Sequence, residues 1–186
     1  MKYSENPSAV RSKEEITEAL LELMKSEKYT EITVSRIVLE ARLARKTFYR
    51  NFSSKDDVLD NYMTVLLNGY VAEIMEDGAD VLSVIFGFCR RNRDFILLMK
   101  KNEMMHILLA KVNDFIAKAH KAEDHENNLF AGFFGNIPPD YPMAFNIGGV
   151  WNVVCLWAER GMEEPPEVII GELSGYFSNI IRMHIE

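Results

Sequence analysis

The sequence has little cysteine and no long apolar run. Its 186 residues include two cysteines, Cys89 and Cys155, which lie in separate apolar segments and form no CxxC pair. We therefore expect two buried free thiols, with neither a disulfide nor a redox role. The longest apolar stretch, residues 147–158, is interrupted by glycine and is too short to span a bilayer.

A secretory signal is also missing, because the first residues do not place a basic segment before an apolar core. We accordingly expect a cytoplasmic protein with no membrane partner. Strand patterns, internal repeats and low-complexity tracts are absent too. Hydrophobic residues make up 48% of the chain, which is too many for a disordered protein. The sequence predicts an all-α fold.

Motifs for catalysis and metal binding are scarce. There is neither a GxSxG elbow nor a glycine loop that could hold phosphate. His120 and His125 are five residues apart, which places them on different faces of a helix, and no cysteine lies near them. A solvated charged segment explains this pair better than a metal site, so we expect no metal, cofactor or catalytic residue. A small helical enzyme that uses His106 or Cys155 is the alternative from another class of protein.

Positive charge is scarce in most of the chain. Residues 57–186 contain 10 Lys and Arg against 19 Asp and Glu, whereas residues 1–56 contain 11 against 9. The charge is most positive between Arg36 and Lys55, where six residues are basic and one, Glu40, is acidic. Such a contrast is typical of a surface that faces phosphates, while DNA would repel the acidic remainder.

Residues 33–55 have the pattern of a helix-turn-helix. Thr33 is a suitable N-cap for a short helix. The apolar residues of that helix are spaced by three and four positions: Val34, Ile37, Val38 and Ala41. A second short helix follows after about three residues, with Ala44, Phe48 and Phe52 on its inner face. Its outer face is basic, hydroxylated and aromatic.

This stretch resembles the tetracycline-repressor (TetR) family of bacterial transcription regulators. That family ends its helix-turn-helix with a Thr-Phe-Tyr-x-x-Phe block, a short polar turn and a Lys. The matching residues here are Thr47, Phe48, Tyr49, Phe52, Ser53, Ser54 and Lys55. The resemblance is tight over roughly residues 10–60. It is thinner beyond, where residues 144–161, with two glycines and two tryptophans, are similar to a C-terminal domain of the family.

The resemblance implies a three-helix, helix-turn-helix DNA-binding unit in residues 1–53. A helical-bundle domain for ligand binding, regulation and dimerisation would follow in residues 54–186. Two residues depart from the family pattern. Arg42 occupies the place of a turn Gly, which predicts a left-handed backbone at a cost of about 1 kcal/mol. Ala44 stands where Ser is usual and cannot cap the second helix.

Roles for individual side chains also follow from the resemblance. Tyr49 and Lys55 match positions that contact phosphates in the family. Thr33 and Arg36 open the first motif helix, where phosphate contacts are expected. The expected readers of base edges are Arg45, Lys46 and Thr47. The full predicted DNA-binding set is Thr33, Arg36, Arg42, Arg45, Lys46, Thr47, Tyr49, Arg50, Asn51 and Lys55.

The rest of the chain predicts further helices. Ser12 and Glu15 form the sequence pattern of a capping box that would begin the first helix. Ser54 and Asp57 form a second one, at the start of a long helix that would end near Glu76. The later helices are expected at residues 79–91, 93–100, 103–122, 141–160 and 166–184, with a loop at residues 123–140.

The last two predicted helices have wide apolar faces. By resemblance to the family, these faces predict a four-helix interface between two subunits, in which Gly148 and Gly149 let the backbones approach. The predicted dimer-interface residues are Ile147, Val150, Trp151, Val154, Ile169, Leu173, Tyr176, Phe177, Ile180 and Ile181.

Methionine and aromatic residues are frequent in the C-terminal part. Large flexible side chains either close around a ligand or fill an ordinary core, and the sequence leaves both interpretations open. If there is a pocket, its ligand should be an apolar small-molecule effector. The predicted pocket residues are Phe86, Met99, Met104, His106, Phe134, Tyr141 and Asn146.

Our leading hypothesis is a homodimeric transcriptional regulator that binds a palindromic operator in double-stranded DNA, as a repressor released by a small effector. The alternative within the same family is a coactivator or adaptor that a protein partner controls. A small helical enzyme is the third hypothesis.

Overall fold

The structure is a computed structural model that describes residues 7–74, 81–122 and 140–183. Within these residues every regular element is helical, which confirms the predicted all-α fold. The helices are α1 (Pro7–Ser26), α2 (Val34–Glu40), α3 (Arg45–Asn51), α4 (Lys55–Ile74), α5 (Val81–Arg91), α6 (Arg93–Lys101), α7 (Met105–Ala122), α8 (Asp140–Glu159) and α9 (Pro166–Met183). A single turn of 3-10 helix, Tyr29–Glu31, precedes α2. The predicted loop lies, up to residue 139, outside the described residues.

The first helix begins earlier than its capping pattern predicts. Ser12 lies inside α1, where it is buried and its hydroxyl donates a hydrogen bond to the Ser8 carbonyl at 2.9 Å. Glu15 pairs with Arg11 at 2.9 Å. The predicted capping box at Ser12 is therefore wrong, because α1 starts at Pro7, a residue whose fixed φ suits the first turn of a helix.

The capping pattern before α4 is confirmed. The Asp57 amide donates to Ser54 Oγ at 3.1 Å, and the Asp57 carboxylate accepts from the Ser53 amide at 2.7 Å. The first bond satisfies a donor that the first turn of a helix cannot pair internally, while the second reaches the amide of Ser53, one residue before Ser54. They also set the point at which the chain leaves the helix-turn-helix.

The chain forms two compact units, residues 1–66 and 67–186. The boundary between them falls within α4, whereas the division predicted from the sequence, after residue 53, precedes that helix. None of the described helices is both long and apolar enough to cross a membrane.

The N-terminal unit has a core that four helices share. Its fully or nearly fully buried side chains include Ile16, Leu20 and Met24 of α1, Ile37 of α2, Phe48 of α3, and Val58 and Leu59 of α4. Burying each such side chain contributes roughly 1.5–3 kcal/mol relative to leaving it in water. This shared core holds the two motif helices against α1.

The C-terminal unit has its own core. Phe86 of α5 is fully buried, and its ring meets that of Trp157 of α8 edge to face, with centroids 6.1 Å apart. Further buried side chains come from α6, α7, α8 and the turn between α6 and α7: Phe95, Ile96, Met99, Met104, Leu108, Val154 and Ala158. Helix α9 packs against α5, and α8 packs against α6 and α7.

Candidate nucleic-acid interface

The start of α2 is capped as the sequence predicts. The Thr33 backbone is extended, and its hydroxyl oxygen accepts a hydrogen bond from the Arg36 amide at 3.2 Å. Ile37 and Val38 are buried. One face of this short helix is therefore held in the core while its capped end stays exposed.

The turn between α2 and α3 is a Schellman motif centred on Arg42. The Leu43 amide donates to the Val38 carbonyl at 2.9 Å, and the Arg42 amide donates to the Leu39 carbonyl at 3.2 Å. Arg42 has φ 55°, so the predicted left-handed backbone is confirmed. The turn exposes the Arg42 side chain between the two motif helices.

Helix α3 is anchored by two phenylalanines. Ala44 is its N-cap and makes no side-chain capping bond, as expected. Phe48 is fully buried, and Phe52, at the C-cap, is nearly so, with ring centroids 6.2 Å apart. A seven-residue helix is too short to be stable alone, so this burial fixes its position.

The outer face of α3 is positively charged. Arg45, Lys46 and Arg50 are exposed, and Tyr49 is 51% exposed. Arg45 Nη2 donates to Tyr49 Oη at 3.3 Å, and its guanidinium carbon lies 5.6 Å from the Tyr49 ring centroid. Among the described residues, none of these three cations forms an ion pair with a carboxylate. Their charge is free to meet a polyanion.

Thr47 and Asn51 lie on a half-buried part of α3. Asn51 Nδ2 donates to the Thr47 carbonyl at 2.8 Å, so one end of this amide is engaged within the helix. Both residues belong to the predicted DNA-binding set. The structure places them beside the exposed cations but with less accessible surface.

Arg36 is engaged by acidic residues. Its Nε lies 3.0 Å from Glu27 Oε1, and its Nη1 lies 3.6 Å from Glu40 Oε2. Glu27 lies nine positions before Arg36 and outside α2, so no local pattern in the sequence predicts this pair. The charge of Arg36 is thus partly balanced before any DNA approaches.

Lys55 is engaged by backbone carbonyls. Its Nζ lies 2.5 Å from the Tyr29 carbonyl oxygen, 2.8 Å from that of Ile32 and 3.4 Å from that of Thr30. The neighbouring Asp56 Oδ1 accepts a hydrogen bond from Tyr29 Oη at 2.5 Å. Burial, and secondarily this carboxylate, raises the pKa of the Tyr29 phenol above its ordinary range. Sequence reasoning missed Tyr29, which is 26 residues from Lys55.

The predicted pocket residues divide between core and surface. Phe86, Met99 and Met104 are buried in the core of the C-terminal unit. His106 and Asn146 are exposed, and Tyr141 is 89% exposed. Phe134 lies outside the described residues. The burial of Phe86, Met99 and Met104 is therefore what ordinary core packing would produce.

The predicted dimer residues also divide. Ile147, Val150, Trp151, Ile169 and Leu173 are half-buried, and Tyr176 and Phe177 are exposed. Val154 is 4% exposed and belongs to the core of the chain itself. Three further apolar residues of α8 are exposed: Tyr141, Phe145 and Leu156. The side chains of Ile180 and Ile181 lie outside the described part.

The cysteines are free thiols. Cys89 is buried, and burial raises its pKa to about 12. Cys155 is half-buried, and burial, followed by the charge of Glu159, raises its pKa as well. No cluster of three or more His, Cys, Asp or Glu that could hold a metal occurs within the described ranges.

Comparisons with known proteins agree with this geometry. Residues 16–62 match the family model described as bacterial regulatory proteins, tetR family. Among solved structures, the dihydroxyacetone kinase operon activator DhaS is similar at 21% identity and a TM-score of 0.50, over 94% of this chain and 98% of that one. The fatty acid degradation regulator FadR from Bacillus halodurans is similar at 18% identity and a TM-score of 0.60, over 91% and 94%. No curated protein matches the sequence.

At these identities the two solved structures show a shared fold, and the family match covers the helix-turn-helix itself. The matched range runs from the buried face of α1 to the first turns of α4, and so includes every element that positions the exposed cations. Residues 16–62 therefore form a helix-turn-helix domain of the kind found in the tetR family of bacterial regulatory proteins.

Proposed function

We propose that the protein is a homodimeric, sequence-specific repressor of transcription that binds a palindromic operator and is released by a small apolar effector. The observation that carries this proposal is the outer face of α3. It presents Arg45, Lys46 and Arg50 without acidic partners in the described residues, on a helix held by Phe48 and Phe52.

The proposed contacts fall into two groups. Arg45 and Lys46, in the first turn of α3, would read base edges in the major groove, where Arg and Lys bind guanine best. Thr47, the next residue of α3, would make a further contact with a base edge. Phosphates would be contacted by residues around this group: Thr33, Arg36, Arg42, Tyr49, Arg50 and Asn51.

A homodimer is supported by apolar side chains that one chain leaves exposed on its last two helices. Phe145 of α8 is 76% exposed, and Tyr176 and Phe177 of α9 are exposed as well. Along α8, an added Cβ at Gly148 or Gly149 would meet no atom within 4 Å. This surface could therefore accept the same two helices of a second subunit.

An effector would release the DNA by changing the distance between the two recognition helices. Two recognition helices can occupy successive major-groove segments only when they are about 34–36 Å apart, or a multiple of that distance. Helix α4 contains residues of both compact units, so a change within the C-terminal unit can reach the helix-turn-helix along it. An effector acts only if its affinity differs between the binding-competent and incompetent conformations.

Selection of bound duplexes from a random pool tests the proposal. A palindromic consensus with half-sites one or more helical turns apart is the expected outcome. Arg45→Ala and Lys46→Ala should relax sequence preference, each at about 1–3 kcal/mol for a bidentate contact. An unenriched pool, together with a protein that co-purifies in fixed stoichiometry, would favour the adaptor. A promoter fusion then separates repression from activation.

A further inference from the structure

The Lys55 ammonium sits at the carboxyl end of the 3-10 turn Tyr29–Glu31. Three carbonyl oxygens surround it, at 2.5 Å from Tyr29, 2.8 Å from Ile32 and 3.4 Å from Thr30. A lysine ammonium has three hydrogens to donate. The structure thus gives each hydrogen an acceptor inside the protein.

The next residue in α4 makes a second contact with the same turn. Asp56 Oδ1 accepts from Tyr29 Oη at 2.5 Å, while the Lys55 ammonium lies 4.5 Å from the Tyr29 ring centroid. Tyr29 is only 9% exposed, whereas Lys55 is half-buried and Asp56 is exposed, so these contacts are partly shielded from water. We call the contacts among Tyr29, Lys55 and Asp56 the Tyr29 latch.

The latch joins the two ends of the helix-turn-helix. Ile32, whose carbonyl binds Lys55, directly precedes Thr33, the N-cap of α2. Lys55 and Asp56 are the first residues of α4. Every residue of α2 and α3 lies between these points along the chain, so the latch holds the entrance to α2 against the exit from α3.

We propose that Lys55 is a positioning residue that sets the orientation of the recognition helix through Tyr29, and not a phosphate contact. This inference rests on the proposed DNA-binding function. For Lys55 to bind a phosphate, its ammonium would have to leave all three carbonyl acceptors. The Tyr29 carbonyl would keep the Ile32 amide as a partner at 3.2 Å, but those of Ile32 and Thr30 would lose the charged donor. Arg42 and Arg50 are exposed and face no such cost.

Binding assays on Lys55→Met test the proposal, with Arg50→Met as the matched loss of one exposed cation that is proposed to contact phosphate. Each variant is titrated at several salt concentrations with a duplex selected from the random pool and with a random duplex of equal length. Arg50→Met should lower the log–log salt slope on random duplex by about one. Lys55→Met should leave that slope unchanged and reduce the ratio of selected to random affinity about tenfold.

Tyr29→Phe provides a second variant that changes no charge. It removes the hydroxyl that Asp56 accepts from, and should lower the same ratio in the same direction with an unchanged salt slope. A slope lowered by about one in Lys55→Met, with the ratio unchanged, would show a phosphate contact and overturn the proposal. If both quantities stay unchanged, Lys55 serves folding alone, which overturns it as well.

A measurement without DNA separates this inference from the proposed function. The Arg36 and Ile37 amides both bond to the Thr33 carbonyl at 3.0 Å, at the start of α2. Lys55→Met should speed their hydrogen exchange about tenfold and leave the amides of α1 unchanged. If the native protein selects no duplex, the proposed function fails, but the exchange measurement still tests the Tyr29 latch. Equal exchange rates of the α2 amides in the native protein and in Lys55→Met would reject the latch.

Discussion

At the scale of single residues, Arg42 shows how a turn tolerates an unsuitable side chain. Its backbone has φ 55°, a conformation that glycine adopts without strain. Glu103 has φ 60° after α6, and the Met104 amide there donates to the Met99 carbonyl at 2.9 Å. The same Schellman geometry therefore occurs after α2 and after α6 with a charged residue in the left-handed position, and after α8 with Gly161 there.

Arg42→Gly should raise the free energy of unfolding by roughly 0.5 kcal/mol, because relief of about 1 kcal/mol of strain exceeds the added entropy of Gly in the unfolded chain. Urea denaturation followed by circular dichroism measures it. Glu103→Gly is the matched control and should gain similar stability. Only Arg42→Gly should also weaken binding to random duplex, and equal DNA affinity in both variants would remove Arg42 from the interface.

Burial lowers the reactivity of the Cys89 thiol. Its pKa of about 12 leaves almost no thiolate at pH 8, and the thiolate is the reactive form. A Cys155→Ser variant should therefore resist iodoacetamide at pH 8 when folded and react fully in urea. Mass spectrometry gives the extent of labelling. Rapid labelling of the folded variant would mean that the Cys89 environment opens readily.

At the scale of elements, the end of α8 is held by cations of α5 and α6. Arg93 donates to the Gly161 carbonyl from Nε at 3.0 Å and from Nη2 at 2.7 Å. Arg90 Nη1 and Lys100 Nζ donate to the carbonyls of Met162 and Ala158, at 2.5 Å and 3.0 Å. The Ala158 carbonyl lies in the last turn of α8 and also accepts from the Gly161 amide at 3.1 Å, while Gly161 and Met162 lie in the turn beyond the helix. The three positive charges suit the dipole at this end of α8.

Arg93→Ala should lower the free energy of unfolding of the C-terminal unit by roughly 1.5–3 kcal/mol, since it leaves the Gly161 carbonyl without a charged donor. Both tryptophans, Trp151 and Trp157, lie in this unit, so their fluorescence in urea reports its unfolding. Arg160→Ala, which loses only an exposed pair with Glu164 at 3.4 Å, should cost less than about 1 kcal/mol. If both variants lose the same free energy of unfolding, the Arg93 hydrogen bonds contribute no more than the exposed pair.

At the scale of the whole molecule, the proposed dimer accounts for the exposed apolar residues of α8 and α9. A specific interface buries roughly 1,200 Å² or more, and an acidic side chain placed within it has no partner for its charge. Phe177→Asp should therefore convert the dimer to a monomer at micromolar concentration, as measured by sedimentation velocity. Val65→Asp, at an exposed apolar position of α4, is the control and should remain dimeric. A native monomer would contradict the proposed dimer.

The local structure of this protein follows from short-range patterns in its sequence. The N-cap at Thr33, the left-handed turn at Arg42 and the box formed by Ser54 and Asp57 each depend on hydrogen bonds within about five residues. The helix ranges followed from periodicity in the same way. The family pattern consists of residues that are close together in the sequence, so the helix-turn-helix could be recognised before any tertiary contact was known.

The partners of the charged side chains depend instead on how the helices pack. Arg36 and Lys55 read as free cations in the sequence, yet their partners, Glu27 and Tyr29, approach only when the helices pack. Val154 reads as one more apolar residue of a wide face, and packing turned it toward the core. The physical reason is common to all three: long-range contacts depend on how helices orient, and periodicity within one helix does not specify the partner.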